Sequence, residues 1–120
     1  MDKFPSRERA TTAALEPRVT AIVVARNTRP GASGQSPLDL CLRSALAEPW
    51  IDDLVVVDHG NPTKVSSALR ALQADRRDVR VVVAPEEVSG AAAANLGAEQ
   101  ARGRYLLFLD PDVVLRRGAV

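Results

Sequence analysis

The tripeptide Asp110-Pro111-Asp112 is the clearest candidate for chemistry, and it follows directly on the apolar run YLLFL. Two carboxylates two residues apart in extended backbone point to the same side. Pro111 favours an extended conformation at Asp110 and fixes its own φ. Such oxygen donors suit Mg²⁺ or Mn²⁺ bridged to a diphosphate. The alternative interpretation is a polar turn after a strand, for which Asp and Pro are ordinary residues.

Asp58 ends a second apolar run, LVVV, and is the next candidate. Its carboxylate could accept a hydrogen bond from a nucleobase or a ribose, or it could be a turn residue or helix cap. His59 is the only histidine; it could contact a ligand, but we expect it to be exposed in the turn after this strand. One histidine and one cysteine, Cys41, cannot supply a catalytic triad or the usual metal clusters.

Glycine and serine occur together at two places where phosphate binding has to be considered. Ser89-Gly90-Ala91 opens a predicted helix, where small residues let a phosphate approach free N–H groups. Simple N-capping with close helix–sheet packing is the alternative there, and it is slightly favoured. Gly31-Ala32-Ser33-Gly34 lacks the glycine spacing of a dinucleotide fingerprint or a P-loop.

An alternation of strands and helices must position these residues. β-branched and apolar runs predict strands, and amphipathic stretches bounded by capping residues predict helices. The order predicts an α/β fold with three layers, α/β/α, and a mainly parallel sheet of about four strands. The predicted strands are residues 19–25, 54–57, 79–84 and 105–109, and the predicted helices run from Ser36 to Pro49, from Thr63 to about Asp75, and over 89–100.

In a parallel α/β sheet, ligands bind beyond the carboxyl ends of the strands. The polar residues that follow the predicted strands are therefore the functional candidates. They are Arg26 and Asn27, Asp58 and His59, residues 85–87, and residues 110–112.

The first helix carries a strong start signal. Ser36 is a plausible N-cap, Pro37 fits the first helical position, and Asp39 stands where a capping-box acid belongs. Cys41 falls on the apolar face of this helix, where we expect a buried small hydrophobe.

Length and composition favour one small globular domain of 120 residues. Residues 1–17 are polar and aperiodic and predict a disordered leader, which leaves 18–120 as the domain.

A net charge of +1 gives no reason to expect nucleic-acid binding. The apolar runs are too short for a membrane span, no signal peptide is recognisable, and a single cysteine gives no intrachain disulfide. We therefore expect a cytoplasmic protein, with a peripheral role at a membrane as an option.

Four motifs in order resemble the family 2 glycosyltransferases of the GT-A fold, with the rhamnosyltransferase-like branch nearest. A strand ending in Asn27 precedes a helix reading LDLCLRSAL, and VVDHGN ends the second strand. A helix start reads GAAAANLG, and residues 101–112 read ARGRYLLFLDPD.

The resemblance implies that the chain is the nucleotide-sugar-binding half of a GT-A domain. Enzymes of this kind transfer a sugar to a glycan, lipid or other acceptor. The resemblance also implies a divalent metal, Mg²⁺ or Mn²⁺, as cofactor. Asp58 would bind the nucleobase, and Asp112 would be the main metal ligand. Asp110 would contact ribose or metal. The remaining nucleotide-binding candidates are Ala25, Arg26, Asn27 and Gly90.

Three departures from the family pattern accompany this resemblance. His59 and Asn61 replace the usual acid or Asn and the Ser, and Ala94 stands where many members carry Arg. The acceptor-binding half and the catalytic carboxylate of the family lie beyond the metal motif, so no residue is assigned as general base.

Two other classes of function compete with this reading. A non-catalytic remnant or interaction module could keep the fold without turnover. A signalling receiver domain with Asp58 as phosphoacceptor needs an acidic pair after the first strand, where this chain has Arg26 and Asn27. A sheet that ends at the fourth strand also predicts an uncovered edge and self-association.

Overall fold

The computed structural model describes residues 18–26 and 36–120. The predicted leader, Asn27 and the glycine-containing segment 31–34 lie outside these residues. Strands and helices alternate along the chain: β1 (Val19–Arg26), α1 (Pro37–Leu46), β2 (Ile51–His59), α2 (Thr63–Asp75), β3 (Val79–Ala84), α3 (Gly90–Glu99) and β4 (Tyr105–Leu109).

The strands form one parallel sheet in the order β3-β2-β1-β4. The predicted α/β class and parallel sheet are confirmed. Successive strands move outward from β1 to β3, and the chain then crosses back to place β4 on the other side of β1. The reversal in strand order lies between β1 and β4, and this is where open α/β sheets form their ligand crevice.

Both faces of the sheet are buried, which explains the continuous β-branched runs in β1 and β2. One face packs against α1 and α2, and the other packs against α3. Along β2, Leu54 and Val56 face the first side, while Val55 and Val57 face the second. Gly97 lets α3 lie close to the sheet, since a Cβ there would be 2.7 Å from a methyl group of Val57.

The first helix begins as the sequence predicts. The Ser36 hydroxyl accepts a hydrogen bond from the Asp39 N–H at 3.1 Å, and the Asp39 carboxylate accepts from the Ser36 N–H at 3.1 Å. This reciprocal pair is a capping box, with Pro37 at the first helical position. The predicted burial of Cys41 is also confirmed.

β2 is longer than the run LVVV predicted, because its pairing with β1 continues past the apolar residues. Ala25 lies opposite Asp58, and Arg26 lies opposite His59. His59 is therefore the last residue of a strand and is 0% exposed. The prediction of an exposed histidine in a turn is wrong.

A buried carboxylate joins the strands near their amino ends. Asp53 in β2 accepts hydrogen bonds from the Thr20 hydroxyl at 2.7 Å, the Arg80 guanidinium at 2.8 Å and the Arg102 N–H at 3.0 Å. Burial alone would raise the pKa of Asp53, but these hydrogen bonds and the Arg80 charge together lower it below its usual value. The network connects β1, β2, β3 and the approach to β4 at the end of the sheet opposite the carboxyl ends of the strands.

Among the residues that the structure describes, no helix is long and apolar enough to cross a membrane. β4 lies at the edge of the sheet with Tyr105, Leu106 and Phe108 exposed. An uncovered edge was expected from the sequence, and self-association through it stays a prediction.

Candidate functional site

The candidate site is built at the carboxyl ends of β1, β2 and β4. Because the strands are parallel, Ala25, Asp58 and the residue after Leu109 come to the same edge of the sheet. Register places Ala25 beside Asp58, while Val23 lies beside Leu109. The fold thus brings two of the predicted groups, Asp58 and the Asp110 motif, to the ends of β2 and β4, the two strands that flank β1.

Asp58 is almost fully buried, at 5% exposure, and its orientation is fixed by Asn61. The Asn61 side-chain amide donates to Asp58 Oδ1 at 2.6 Å and to the Ala25 carbonyl oxygen at 2.7 Å. Gly60, with φ of +71°, makes the reversal that returns Asn61 toward the strand ends. One side chain therefore connects the ends of β1 and β2 and engages one oxygen of the carboxylate.

The Asp110 motif is a hydrogen-bonded turn. The Val113 N–H donates to the Asp110 carbonyl at 2.9 Å, and the Asp112 N–H donates to Asp110 Oδ1 at 3.2 Å. Pro111 occupies the second position of the turn, which its fixed φ favours. The polar turn that the sequence offered as the alternative is therefore present at Pro111 and Asp112, so an extended run does not place the two carboxylates. Both carboxylates are exposed.

Side chains from α1 and the residue after its C-cap contact the segment that begins at this turn. The Cys41 thiol donates to the Asp110 carbonyl at 3.6 Å, and the Leu115 N–H donates to the Ser44 hydroxyl at 2.9 Å. The Glu48 carboxylate accepts from the Gly118 and Val120 N–H groups, each at 3.0 Å.

The surroundings of Cys41 keep it a neutral thiol at physiological pH. Burial, followed by the negative charges of Asp110 and Asp112, raises its pKa to about 11. The side chain therefore acts as a weak hydrogen-bond donor to the turn rather than as a nucleophile.

Gly90 and Arg26, two further predicted nucleotide-binding residues, are exposed. Gly90 is the first residue of α3, and a Cβ there would meet no atom within 4 Å. The Ser89 hydroxyl accepts from the Ala92 N–H at 3.0 Å, so the predicted N-capping is confirmed. From the segment 85–87, the Glu86 side chain packs against Gly60, with Cγ 3.2 Å from the position of a Cβ.

The donor set at the turn fits a divalent cation that a diphosphate would help to coordinate. Within residues 18–26 and 36–120 there is no group of at least three His, Cys, Asp or Glu side chains able to enclose a metal ion. Asp110 and Asp112 offer carboxylate oxygens to solvent from one turn. Mg²⁺ commonly takes one or two carboxylates and completes its coordination with substrate phosphates and water.

Sequence reasoning missed Ser44 and Glu48, and it noted Asn61 only as a departure from a family pattern. A signal for the first two was present: Cys41, Ser44 and Glu48 have the i, i+3, i+7 spacing of one helix face. Two polar residues in line with a predicted buried cysteine indicate partners within the fold.

Comparison with known proteins agrees with this architecture. The family model described as Glycosyl transferase family 2 matches residues 20–120. A crystal structure of TarS 1-349 from S. aureus superposes with a TM-score of 0.60 at 20% identity, covering 83% of this chain and 29% of that one. TarS 1-349 in complex with UDP-GlcNAc gives a TM-score of 0.51 at 20% identity, covering 79% and 26%. No curated protein sequence gives a significant match.

The match over residues 20–120 places the protein in a known class: the chain belongs to glycosyl transferase family 2. It spans less than a third of the length of the TarS 1-349 chain. The structural likeness establishes the fold, a partial GT-A sheet with its helices.

Proposed function

We propose that this domain binds a nucleoside-diphosphate sugar together with Mg²⁺ or Mn²⁺, as the donor-binding part of a sugar transferase. The observation that carries the proposal is the convergence of two sets of carboxylates at one sheet edge. Asp58 is oriented by Asn61 at the end of β2, and Asp110 and Asp112 project from the turn after β4. TarS, a protein of the same fold, has been crystallised with UDP and with UDP-GlcNAc.

The two ends of a bound nucleoside-diphosphate sugar would contact different parts of this sheet edge. The nucleobase would donate to the Asp58 oxygen that Asn61 does not engage, Oδ2, with Ala25 and Arg26 lining the pocket; Asn27, predicted beside them, lies outside the described residues. The diphosphate would lie toward the turn, where Asp112 is the main metal ligand and Asp110 contacts metal or ribose. Gly90 would leave room for a phosphate at the start of α3.

A divalent cation at the turn would supply charge neutralisation for the departing nucleoside diphosphate. The chain's own residues orient the donor and fix the base and the diphosphate at separate points. Transfer of a hexose to a glycan, lipid or other acceptor is the reaction that this arrangement would serve. No described residue is assigned as the general base.

Isothermal titration of the 120-residue chain with UDP, GDP and dTDP, each with and without Mn²⁺, tests the proposal. We expect one nucleotide to bind and Mn²⁺ to strengthen its binding. Asp112→Asn should remove most of the Mn²⁺ effect, because it replaces the main proposed ligand of the metal by a neutral amide. The control is Asp75→Asn, an exposed carboxylate at the end of α2.

A folded sample that binds none of the three nucleotides would contradict the proposal. Equal losses in Asp112→Asn and Asp75→Asn would contradict the specific role of Asp112.

A further inference from the structure

The eleven residues from Asp110 to Val120 form no helix or strand, yet they follow a defined path. Their positions are set by hydrogen bonds to side chains spaced along α1 and the residue after its C-cap, Ala47. We call Cys41, Ser44 and Glu48 the anchoring residues and residues 110–120 the anchored segment.

The contacts proceed in order along both partners. Cys41 meets Asp110, Ser44 meets Leu115, and Glu48 meets Gly118 and Val120. Cys41 and Ser44 lie one turn apart on α1, and Glu48 follows directly after the C-cap, so their hydrogen-bonding groups come in sequence along one side of the segment. Ser44 is itself fixed, since its hydroxyl donates to the Cys41 carbonyl at 2.8 Å.

Glu48 is the strongest of these anchors. Its side chain is only 2% exposed, and each carboxylate oxygen accepts one backbone N–H. Burying a carboxylate is costly unless hydrogen bonds compensate, and bonds to a charged acceptor are stronger than neutral ones. A carboxylate so placed ties the end of the anchored segment to the core, where Leu115 and Val120 also pack.

The turn that carries Asp110 and Asp112 lies between two fixed points. Leu109 is buried at the end of β4, and the Leu115 N–H is bonded to Ser44. Freeing the second point would leave the carboxylates attached to the fold on one side only. We propose that Ser44 and Glu48 are positioning residues that set the geometry of the metal-binding turn; this rests on the function proposed above.

The test separates metal-dependent from metal-independent nucleotide binding. UDP affinity is measured by titration with and without Mn²⁺ for the full chain and for Ser44→Ala and Glu48→Ala. If another of the three nucleotides binds better to the wild type, that one is used. We expect the Mn²⁺-dependent gain to fall roughly 10–100-fold, as when supporting groups around a metal site are removed. Affinity without Mn²⁺, which depends on the Asp58 pocket, should stay as in the wild type.

Conservative variants provide matched controls. Ser44→Thr keeps the hydroxyl acceptor and should retain the Mn²⁺ effect, while Glu48→Gln keeps one acceptor oxygen and should lie between wild type and Glu48→Ala. Glu99→Ala, at the exposed end of α3, should change neither affinity. If Glu48→Ala does not fold, the Ser44→Ala and Ser44→Thr pair decides the question.

The outcomes distinguish this inference from the proposed function. A wild-type chain whose nucleotide binding does not respond to Mn²⁺ overturns the metal role and this inference with it. If Mn²⁺ strengthens nucleotide binding to the wild type, and strengthens it equally for Ser44→Ala and Glu48→Ala, the inference alone is overturned. If these variants lose the same nucleotide affinity with and without Mn²⁺, the inference is also overturned, because such a loss indicates general destabilisation.

Discussion

Asn61 orients the Asp58 carboxylate through an amide that also engages the Ala25 carbonyl. The family pattern has serine at this position, whose shorter side chain has a single hydroxyl proton to donate. An asparagine amide has two N–H donors and can serve both acceptors. The asparagine that departs from the family pattern thus orients the carboxylate at the proposed nucleobase pocket.

Removing the Asn61 amide should weaken nucleotide binding. Because Asn61 holds the Asp58 carboxylate in place, we expect Asn61→Ala to lower UDP affinity. The loss should be the same with and without Mn²⁺, unlike that of the anchoring variants. Titration measures it, with Gln100→Ala at the exposed end of α3 as the control. Unchanged affinity in Asn61→Ala would argue against the role of the Asp58 pocket.

His59 is a residue whose burial has no evident compensation. Both of its ring nitrogens are buried without a hydrogen-bond partner in the part of the chain that the structure describes. Each buried unsatisfied polar group costs about 1–3 kcal/mol. We therefore expect His59→Leu to raise the free energy of unfolding by about 1 kcal/mol, as measured by urea denaturation. A decrease in stability would mean that the imidazole has polar partners in the folded protein.

At the scale of elements, α3 approaches the sheet through Gly97 and begins with Gly90. The first glycine is required by space, because a Cβ would lie 2.7 Å from Val57 Cγ2 and 2.9 Å from Ile22 Cγ2. The second has open space around it. Close packing therefore requires glycine at position 97 of this helix but not at position 90.

Gly97→Ala and Gly90→Ala form a matched pair of variants. Overpacking a closely packed interface costs about 1–3 kcal/mol, and we expect Gly97→Ala to lower the unfolding free energy by that amount. Gly90→Ala should be neutral or slightly stabilising, since alanine favours helix. Thermal or urea denaturation of both variants tests this, and equal effects would show that α3 is not packed as closely as described.

At the scale of the molecule, the Asp53 network connects β1, β2, β3 and the segment before β4 near the amino ends of the strands. The proposed nucleotide-binding edge lies at the other end, so the Asp53 network and the proposed function occupy opposite ends of the sheet. Because hydrogen bonds hold the pKa of Asp53 below its usual value, its ionised form stabilises the fold. This contribution is present above the unfolded-state pKa of about 4 and is lost as pH falls through the lower folded-state pKa.

Asp53→Asn should destabilise the protein in a pH-dependent way. Removing one partner of a buried ion pair costs about 3 kcal/mol or more, and we expect a loss near this value at neutral pH. The difference between wild type and variant should shrink as the pH is lowered below about 4. Urea denaturation across this range measures it, with exposed Asp75→Asn as control. A difference that is constant with pH would contradict the role of the ionised carboxylate.

Much of the fold follows from the sequence, because its signals are local. Residues 79–84 and 105–109 are strands with the predicted bounds, and α2 ends at Asp75 as its apolar face predicts. These signals are the hydrophobic periodicity, the N-cap residues and the β-branched runs. Each extends over only a few residues and can be recognised along the chain. The parallel direction of the strands followed from the alternation of strands and helices.

The site depended on the sequence for its residue types and on the tertiary structure for its arrangement. Motif positions alone pointed to Asp58, Asp110 and Asp112 as a group, and their roles remain predictions. Only the tertiary structure decided that Glu48 anchors Val120, 72 residues away, and that Thr20 bonds Asp53, 33 residues away. Such contacts depend on which elements become neighbours across the sheet, so a local pattern can indicate that Glu48 has a partner but not which distant residue it is. For the same reason, the burial of His59 could not be read from its sequence neighbours, since it depends on strand pairing that continues beyond the apolar run.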